Sequence, residues 1–175
     1  WRGRPRRRDV VLGSFLDRIL GEAPCDVFVK RIRSPTGDIT SILVPVAGGP
    51  HGELAVELAG TIASQHEAVV QLLYIQQPSA SESAQEDAVV LLEESSSRLE
   101  DLDIRVESTV LQSEHVAGKI TDETANHDLT ILGATREPFL RRMLVGSVAE
   151  GVGRTAVSSV ILARRAPTQS ESESG

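Results

Sequence analysis

The apolar residues of this chain fall into short runs of strand length, which alternate with longer segments of helical periodicity. The runs are rich in β-branched side chains, and one of them alternates between apolar and polar positions, as strands with one buried face do. The pattern predicts strands over residues 41–46, 68–75, 103–111, 129–132 and 160–163.

The segments between these runs carry apolar residues at helical spacing. Leu54, Leu58 and Ile62 recur every four residues and form one apolar stripe. Pro50 precedes this stripe and suits the first turn of a helix, where its missing N–H group has no partner to lose. Ser113 is placed to cap a later helix. The predicted helices cover residues 50–65, 84–101, 113–125 and 147–155.

Strands and helices that alternate in this way form a parallel sheet with helices on both faces. The sequence therefore predicts an α/β fold, a doubly wound five-stranded parallel sheet of Rossmann-like type. In such sheets ligands bind beyond the carboxyl ends of the strands, where the strand order reverses. We expect a binding site formed by the segments 46–50, 75–78, 111–114 and 132–148.

The first part of the chain repeats the last part at an offset of 133 residues. Six of the 24 ungapped aligned positions are identical, including Gly13-Ser14 against Gly146-Ser147. We infer that a helix over 14–22 and a strand over 26–31 are the end of a preceding copy of the same domain. The predicted divisions are this fragment (1–33), a linker (34–40), a complete domain (41–166) and a Ser- and Glu-rich disordered tail (167–175).

Charge divides the chain at the same place. Residues 1–33 carry a net charge of +5 and the remaining residues a net charge of −12. The acidic balance of the predicted domain argues against a nucleic-acid partner. A single cysteine, Cys25, excludes a disulfide scaffold, and no uncharged apolar run reaches the length of a membrane span.

Residues suited to ligand binding follow the fourth predicted strand of the complete domain. Gly133 comes directly after a buried run and would let a ligand approach the backbone. Gly146 and Ser147 stand where a helix begins, and helix N-termini favour anions such as phosphate. These residues alone are explained as well by a turn at Gly133 and an N-cap at Ser147, so both interpretations stay open.

This segment resembles the universal stress protein family. The family pattern is a glycine, two residues, a second glycine, nine residues and Gly-[Ser/Thr], and this chain has Gly133, Arg136 and 146–148 (Gly-Ser-Val) at those spacings. The run 127–133 resembles the fourth strand of the family. The resemblance covers about residues 41–165 and implies a nucleotide-hydrolase-like α/β fold.

The resemblance implies a non-catalytic regulatory or sensor domain of the stress response. For the branch of the family that binds ATP or AMP, it implies nucleotide contacts at Val46, Ala47, Gly133, Arg136, Gly146, Ser147 and Val148. This chain departs from that branch twice. Ala47 stands where the family has an acceptor Asp, and Arg136 stands where it has a glycine, although a guanidinium can also pair with phosphate. A structural dimerisation module that binds no nucleotide is therefore the alternative.

The resemblance also implies partners. The loop Gly48-Gly49-Pro50-His51 is similar to that of family domains fused in tandem as cytoplasmic tails of membrane transporters, notably amino-acid permeases. The implied partners are another copy of the domain and a fused transporter, and the implied location is the cytoplasm or the cytoplasmic face of the membrane. The histidines lack metal-ligand spacing, so no metal is required. Without a nucleophile–base pair, an enzyme is not expected.

Overall fold

The computed structural model describes Ile19 and residues 23–33, 37–134 and 147–167. The strands are β1 (Val27–Arg31), β2 (Ser41–Pro45), β3 (Val69–Gln76), β4 (Val106–Gln112), β5 (Leu129–Gly133) and β6 (Ser159–Arg164). The helices are α1 (Gly49–His66), α2 (Glu82–Ser97), α3 (Val116–Glu123) and α4 (Ser147–Thr155), and a 3₁₀ turn (Thr124–Asn126) follows α3. None of these helices, within the described residues, is long and apolar enough to cross a membrane.

All six strands belong to one sheet with the order β1-β6-β5-β2-β3-β4. The strands β2 to β6 run parallel, which confirms the predicted α/β fold and its parallel sheet. The strand predicted over 26–31 is present as β1, and it joins the five parallel strands at the edge of β6 in the antiparallel direction. The origin of β1 in a preceding copy stays a prediction. The predicted helix 14–22 and the tail beyond Pro167 lie outside the described residues, apart from Ile19.

The sheet separates two apolar cores, and the strand residues alternate between them with a period of two. On the face covered by α1 and α2 lie Ile42, Val44, Leu72, Leu129, Ile131 and Ile161. On the face covered by α3 and α4 lie Leu43, Leu73, Leu132, Val160 and Leu162. The central strands are buried on both faces, which explains why they read as continuous apolar runs in the sequence.

The predicted bounds were wrong where tertiary packing decides the end of an element. Helix α2 ends at Ser97, short of the predicted 101, because the chain turns so that Leu99 packs against α1. A Cβ atom at Gly60 would lie 2.6 Å from the end of the Leu99 side chain, so Leu99 packs directly over this glycine. Ser113 does not cap a helix: its hydroxyl accepts a hydrogen bond from the His115 N–H group (3.0 Å), and α3 begins at Val116.

The carboxylate of Asp128 joins the beginnings of β2 and β5. One of its oxygens accepts hydrogen bonds from the backbone N–H and hydroxyl groups of Thr40 and Ser41, at 2.8 to 3.0 Å. Partial burial by itself would raise the pKa of this carboxyl, but the four hydrogen bonds together outweigh it and hold the pKa below its ordinary value. The ionised form therefore stabilises the fold.

We expect Asp128→Asn to lower the free energy of unfolding at neutral pH by about 1 kcal/mol. Because the pKa is lower in the folded protein, the carboxylate stabilises the fold above its unfolded pKa, and this contribution disappears as the pH falls through the folded pKa. Urea unfolding across this acidic range measures the difference, with Asp101→Asn at an exposed position as the control. A difference that does not shrink on acidification would contradict this role of the charge.

Candidate functional site

A cavity of about 360 Å³ opens at the carboxyl ends of β2, β3 and β5. It lies over the face of the sheet that α3 and α4 cover, beside the first turn of α1. Its lining residues are Pro45, Val46, Ala47, Gly48, Gly52, Leu73, Tyr74, Ile75, Val116, Ile120, Leu132, Gly133, Val148 and Ala149. This size lies within the range of pockets that bind small ligands, and the position is the edge at which parallel α/β sheets bind them.

The loop that leads from β2 into α1 forms one wall of the cavity. Both Gly48 (φ 77°) and Gly49 (φ 76°) adopt the left-handed backbone conformation, which strongly favours glycine. This conformation turns the chain into α1 within two residues. Helix α1 has no acidic residue in its first turn and no side-chain cap, so nothing from its own sequence neutralises that end of the helix dipole.

The first turn of α1 is held tightly against the end of β5. A Cβ atom at Gly133 would lie 2.7 Å from the backbone of both His51 and Gly52, closer than a Cβ atom packs against backbone. His51 Nδ1 also accepts a hydrogen bond from the Arg165 N–H group (3.0 Å), just beyond β6. From the sequence, Gly133 was expected to let a ligand approach the backbone. In the structure, the segment that approaches Gly133 is the first turn of α1.

The lining of the cavity is mostly apolar. Of the described lining residues, none is acidic or basic, and the one with a polar side chain, Tyr74, packs that side chain against the core beneath α1 and α2. Such a surface suits an uncharged, flat group and offers hydrogen bonds through backbone atoms. A charged part of a ligand would need groups outside this described lining.

The structure brings four of the seven predicted site residues to this cavity. Val46, Ala47, Gly133 and Val148 all line it, and Ala47 is exposed at the rim whereas Val46 is buried. Ser147 is the first residue of α4, immediately before the lining residue Val148. The other two predicted residues, Arg136 and Gly146, lie outside the described residues.

A family model decides the relationship of this domain to known proteins. The model described as "Universal stress protein family" matches residues 39–164. The chain belongs to the universal stress protein family. The predicted resemblance, given above for about residues 41–165, is thereby confirmed. No curated protein matches the chain.

Solved structures of family members have the same fold. Universal stress protein UspA from Lactobacillus plantarum is 24% identical, with a TM-score of 0.54, and the match covers 73% of this chain and 99% of that one. A universal stress protein from Archaeoglobus fulgidus in complex with dAMP is 17% identical, with a TM-score of 0.61 and coverage of 73% and 99%. A family protein from Arabidopsis thaliana with AMP bound is 18% identical, with a TM-score of 0.56 and coverage of 77% and 97%.

Several residues that line the cavity of this universal stress protein domain were not among the predicted site residues. Gly52, Val116 and Ile120 belong to helices, whereas the predicted site segments follow the ends of strands. The signal available was Gly52 itself, since glycine in a helix is costly unless space or close contact requires it. The predicted segment 111–114 contributes none of the described lining residues.

Over the described ranges, no group of three or more His, Cys, Asp and Glu side chains is arranged to hold a metal ion. A second cavity of about 330 Å³ lies at the opposite, amino-terminal edge of the sheet, between Asp38, His127 and Ser158. It is more polar and has none of the predicted site residues among its lining.

Proposed function

We propose that this domain is a non-catalytic regulatory or sensor domain that binds an adenine nucleotide, ATP or AMP, in the cavity at the carboxyl edge of β2, β3 and β5. The observation that carries the proposal is the convergence of Val46, Ala47, Gly133 and Val148 on one cavity. Structures of family proteins that hold AMP, dAMP or cAMP support the choice of ligand.

The base and the phosphates of the proposed nucleotide would occupy different parts of the cavity. The apolar lining around Leu73, Ile75 and Leu132 suits the base and the ribose. The phosphates would lie toward the start of α4, where the family resemblance implies contacts with Gly146, Ser147 and Val148, and Arg136 would be a further partner. The N–H groups of a helix N-terminus suit this role.

Calorimetric titration of the full chain with AMP and with ATP tests this proposal. We expect saturable binding of at least one of the two nucleotides. The proposal fails if neither titration gives heat and the purified protein releases no nucleotide.

A second expectation concerns the position where the binding branch of the family has an Asp. Ala47→Asp adds a carboxylate acceptor at the exposed rim of the cavity. A hydrogen bond to a charged group contributes about 1.5 kcal/mol, so we expect the affinity for AMP to rise about tenfold. Ala47→Asn, which has the same shape without the charge, should give a smaller gain. Equal affinities of all three proteins would show that the β2–α1 loop does not contact the nucleotide.

The alternative function is a structural module that pairs with another copy of the domain and binds no nucleotide. The observation in its favour is that β6 pairs along its outer edge with β1 over five residues. A substitution that abolishes pairing between copies and leaves nucleotide binding unchanged would separate the two functions. A substitution that abolishes nucleotide binding and leaves pairing unchanged would do the same.

Regulation of a fused membrane transporter is the finer proposal, and it rests on the resemblance of the loop 48–51 to that of transporter tails. It places the domain in the cytoplasm or at the cytoplasmic face of the membrane. The coding sequence upstream of Trp1 tests it: about ten hydrophobic segments of membrane-spanning length would support the proposal, and their absence would refute it.

A further inference from the structure

Helix α4 is a short helix of low intrinsic stability that forms part of the cavity wall. Its nine residues include Gly151 and Gly153, and glycine is among the residues least favourable in a helix. Helices shorter than about 12 residues are marginal in water unless tertiary contacts hold them. Val148 and Ala149, in the first turn of α4, line the cavity. The geometry of this wall therefore depends on the contacts that hold α4 in place.

Two arginines from a distant part of the chain bind the carboxyl end of α4. The helix ends at Thr155, so the carbonyl groups of Gly153 and Arg154 have no N–H partner within the helix. The Arg31 guanidinium donates a hydrogen bond to the Gly153 carbonyl. The Arg33 guanidinium donates to the Arg154 carbonyl (3.3 Å). The last turn of α4 is thus capped by side chains that its own sequence does not supply.

The same arginines place positive charge at the carboxyl end of α4. A helix carries partial negative charge at this end, and cations there stabilise it. Arg31 ends β1 on the same face of the strand as Val29, which packs against the core that contains Ala149 and Val152 of α4. Backbone pairing with β6 and this apolar contact together fix the segment that presents the arginines.

The arginines lie at the end of α4 that is remote from the cavity. The nine residues of α4 span about 13 Å at 1.5 Å per residue, and Val148 is at the beginning of the helix. None of the described lining residues of the cavity belongs to β1 or to residues 32–33. Any effect of Arg31 and Arg33 on a ligand in the cavity must therefore pass through the position of α4.

We propose that Arg31 and Arg33 are positioning residues that hold α4 as a wall of the cavity, so that the docking of residues 27–33 regulates ligand binding there. Helix α4 then has two states, one docked with its last carbonyls capped and one frayed from its carboxyl end. A ligand that contacts the wall favours the docked state, as the arginines do, so the two strengthen each other. The inference rests on the proposed function for the identity of the ligand, AMP, but not for the hold of the arginines on α4.

Hydrogen exchange of the full chain without nucleotide tests whether the arginines hold α4. In Arg31→Gln we expect the amides of residues 151–155 to exchange about tenfold faster, because a hydrogen bond from a charged donor is lost. Lys30→Gln is the matched control, since it removes the same charge from the opposite face of β1. Arg33→Gln, at an exposed position, makes the same test if Arg31→Gln does not fold. Equal exchange in α4 of the arginine variant and the Lys30→Gln control would overturn the inference, whether or not the domain binds AMP.

Calorimetric titration of the same variants with AMP tests the coupling to the cavity. We expect Arg31→Gln to bind AMP about fivefold more weakly than the parent, Lys30→Gln to bind like the parent, and Arg31→Lys, which keeps the charge and a donor, to lie between them. Saturating AMP should slow exchange of the β1 amides in the parent and do so less in Arg31→Gln. Parental affinity in Arg31→Gln, or β1 exchange that AMP does not change, would overturn the inference. If the parent binds no AMP, the proposed function fails, and exchange in α4 alone decides the role of the arginines.

Discussion

Gly133→Ala is expected to lower the free energy of unfolding by about 3 kcal/mol, the largest effect on stability that we predict for a single added methyl group. The added Cβ would lie 2.7 Å from the backbone of His51 and Gly52. Backbone in the first turn of a helix cannot move aside as a flexible side chain can. Either α1 shifts away from β5 or β5 leaves its register with β6, and both changes disturb buried packing.

A helix glycine with space around it provides the matched control for this substitution. A Cβ atom at Gly153 in α4 would meet no atom within 4 Å, so Gly153→Ala should leave stability unchanged or raise it by up to about 1 kcal/mol. Urea unfolding of both variants and the parent measures the difference. If Gly133→Ala is as stable as Gly153→Ala, then α1 does not approach β5 as described.

Gly52→Leu is expected to weaken binding of AMP by at least about tenfold while the fold is retained. Gly52 is a buried residue of α1 that lines the cavity, and a Cβ atom there would meet no atom within 4 Å. The leucine side chain can therefore extend into the cavity without displacing the protein around it. It removes space that the proposed ligand would occupy.

A control variant for Gly52→Leu must distinguish filling of the cavity from the general effect of replacing a helix glycine by leucine. Gly153→Leu makes the same replacement in a helix, at a position with open space around it that is not among the described lining residues. Calorimetric titration with AMP should show weak binding by Gly52→Leu and parental binding by Gly153→Leu. Unchanged affinity in Gly52→Leu would place the nucleotide elsewhere on the domain.

The order of elements and the parallel sheet could be predicted from the sequence because central strands buried on both faces leave continuous apolar runs. The place of β1 could not be predicted in this way. Its sequence Val-Phe-Val-Lys-Arg does not alternate between apolar and polar residues, and nothing local to 27–31 indicates which edge the strand joins or in which direction. The end of α2 was also missed, since Leu99 leaves the helix in order to pack against Gly60, a contact between segments distant in sequence.

Only part of the candidate site could be predicted from the sequence. The residues at strand ends, such as Val46 and Gly133, follow from topology, because the ends of neighbouring parallel strands meet at one edge. Helix residues such as Gly52 and Ile120 reach the cavity only through the packing of helices on the sheet. Sequence periodicity shows that Ile120 points inward, but it does not show which inward-facing residues border a cavity.

Amide chemical shifts of the full chain, followed during titration with AMP, show whether the nucleotide binds at the carboxyl edge of the sheet, because they report binding and its location together. We expect saturable shifts at the carboxyl edge of the sheet, at Ala47, Gly52, Gly133 and Val148. We expect no such shifts at the opposite edge around His127. Spectra that do not change with AMP, or that change only at the opposite edge, would contradict nucleotide binding in the cavity.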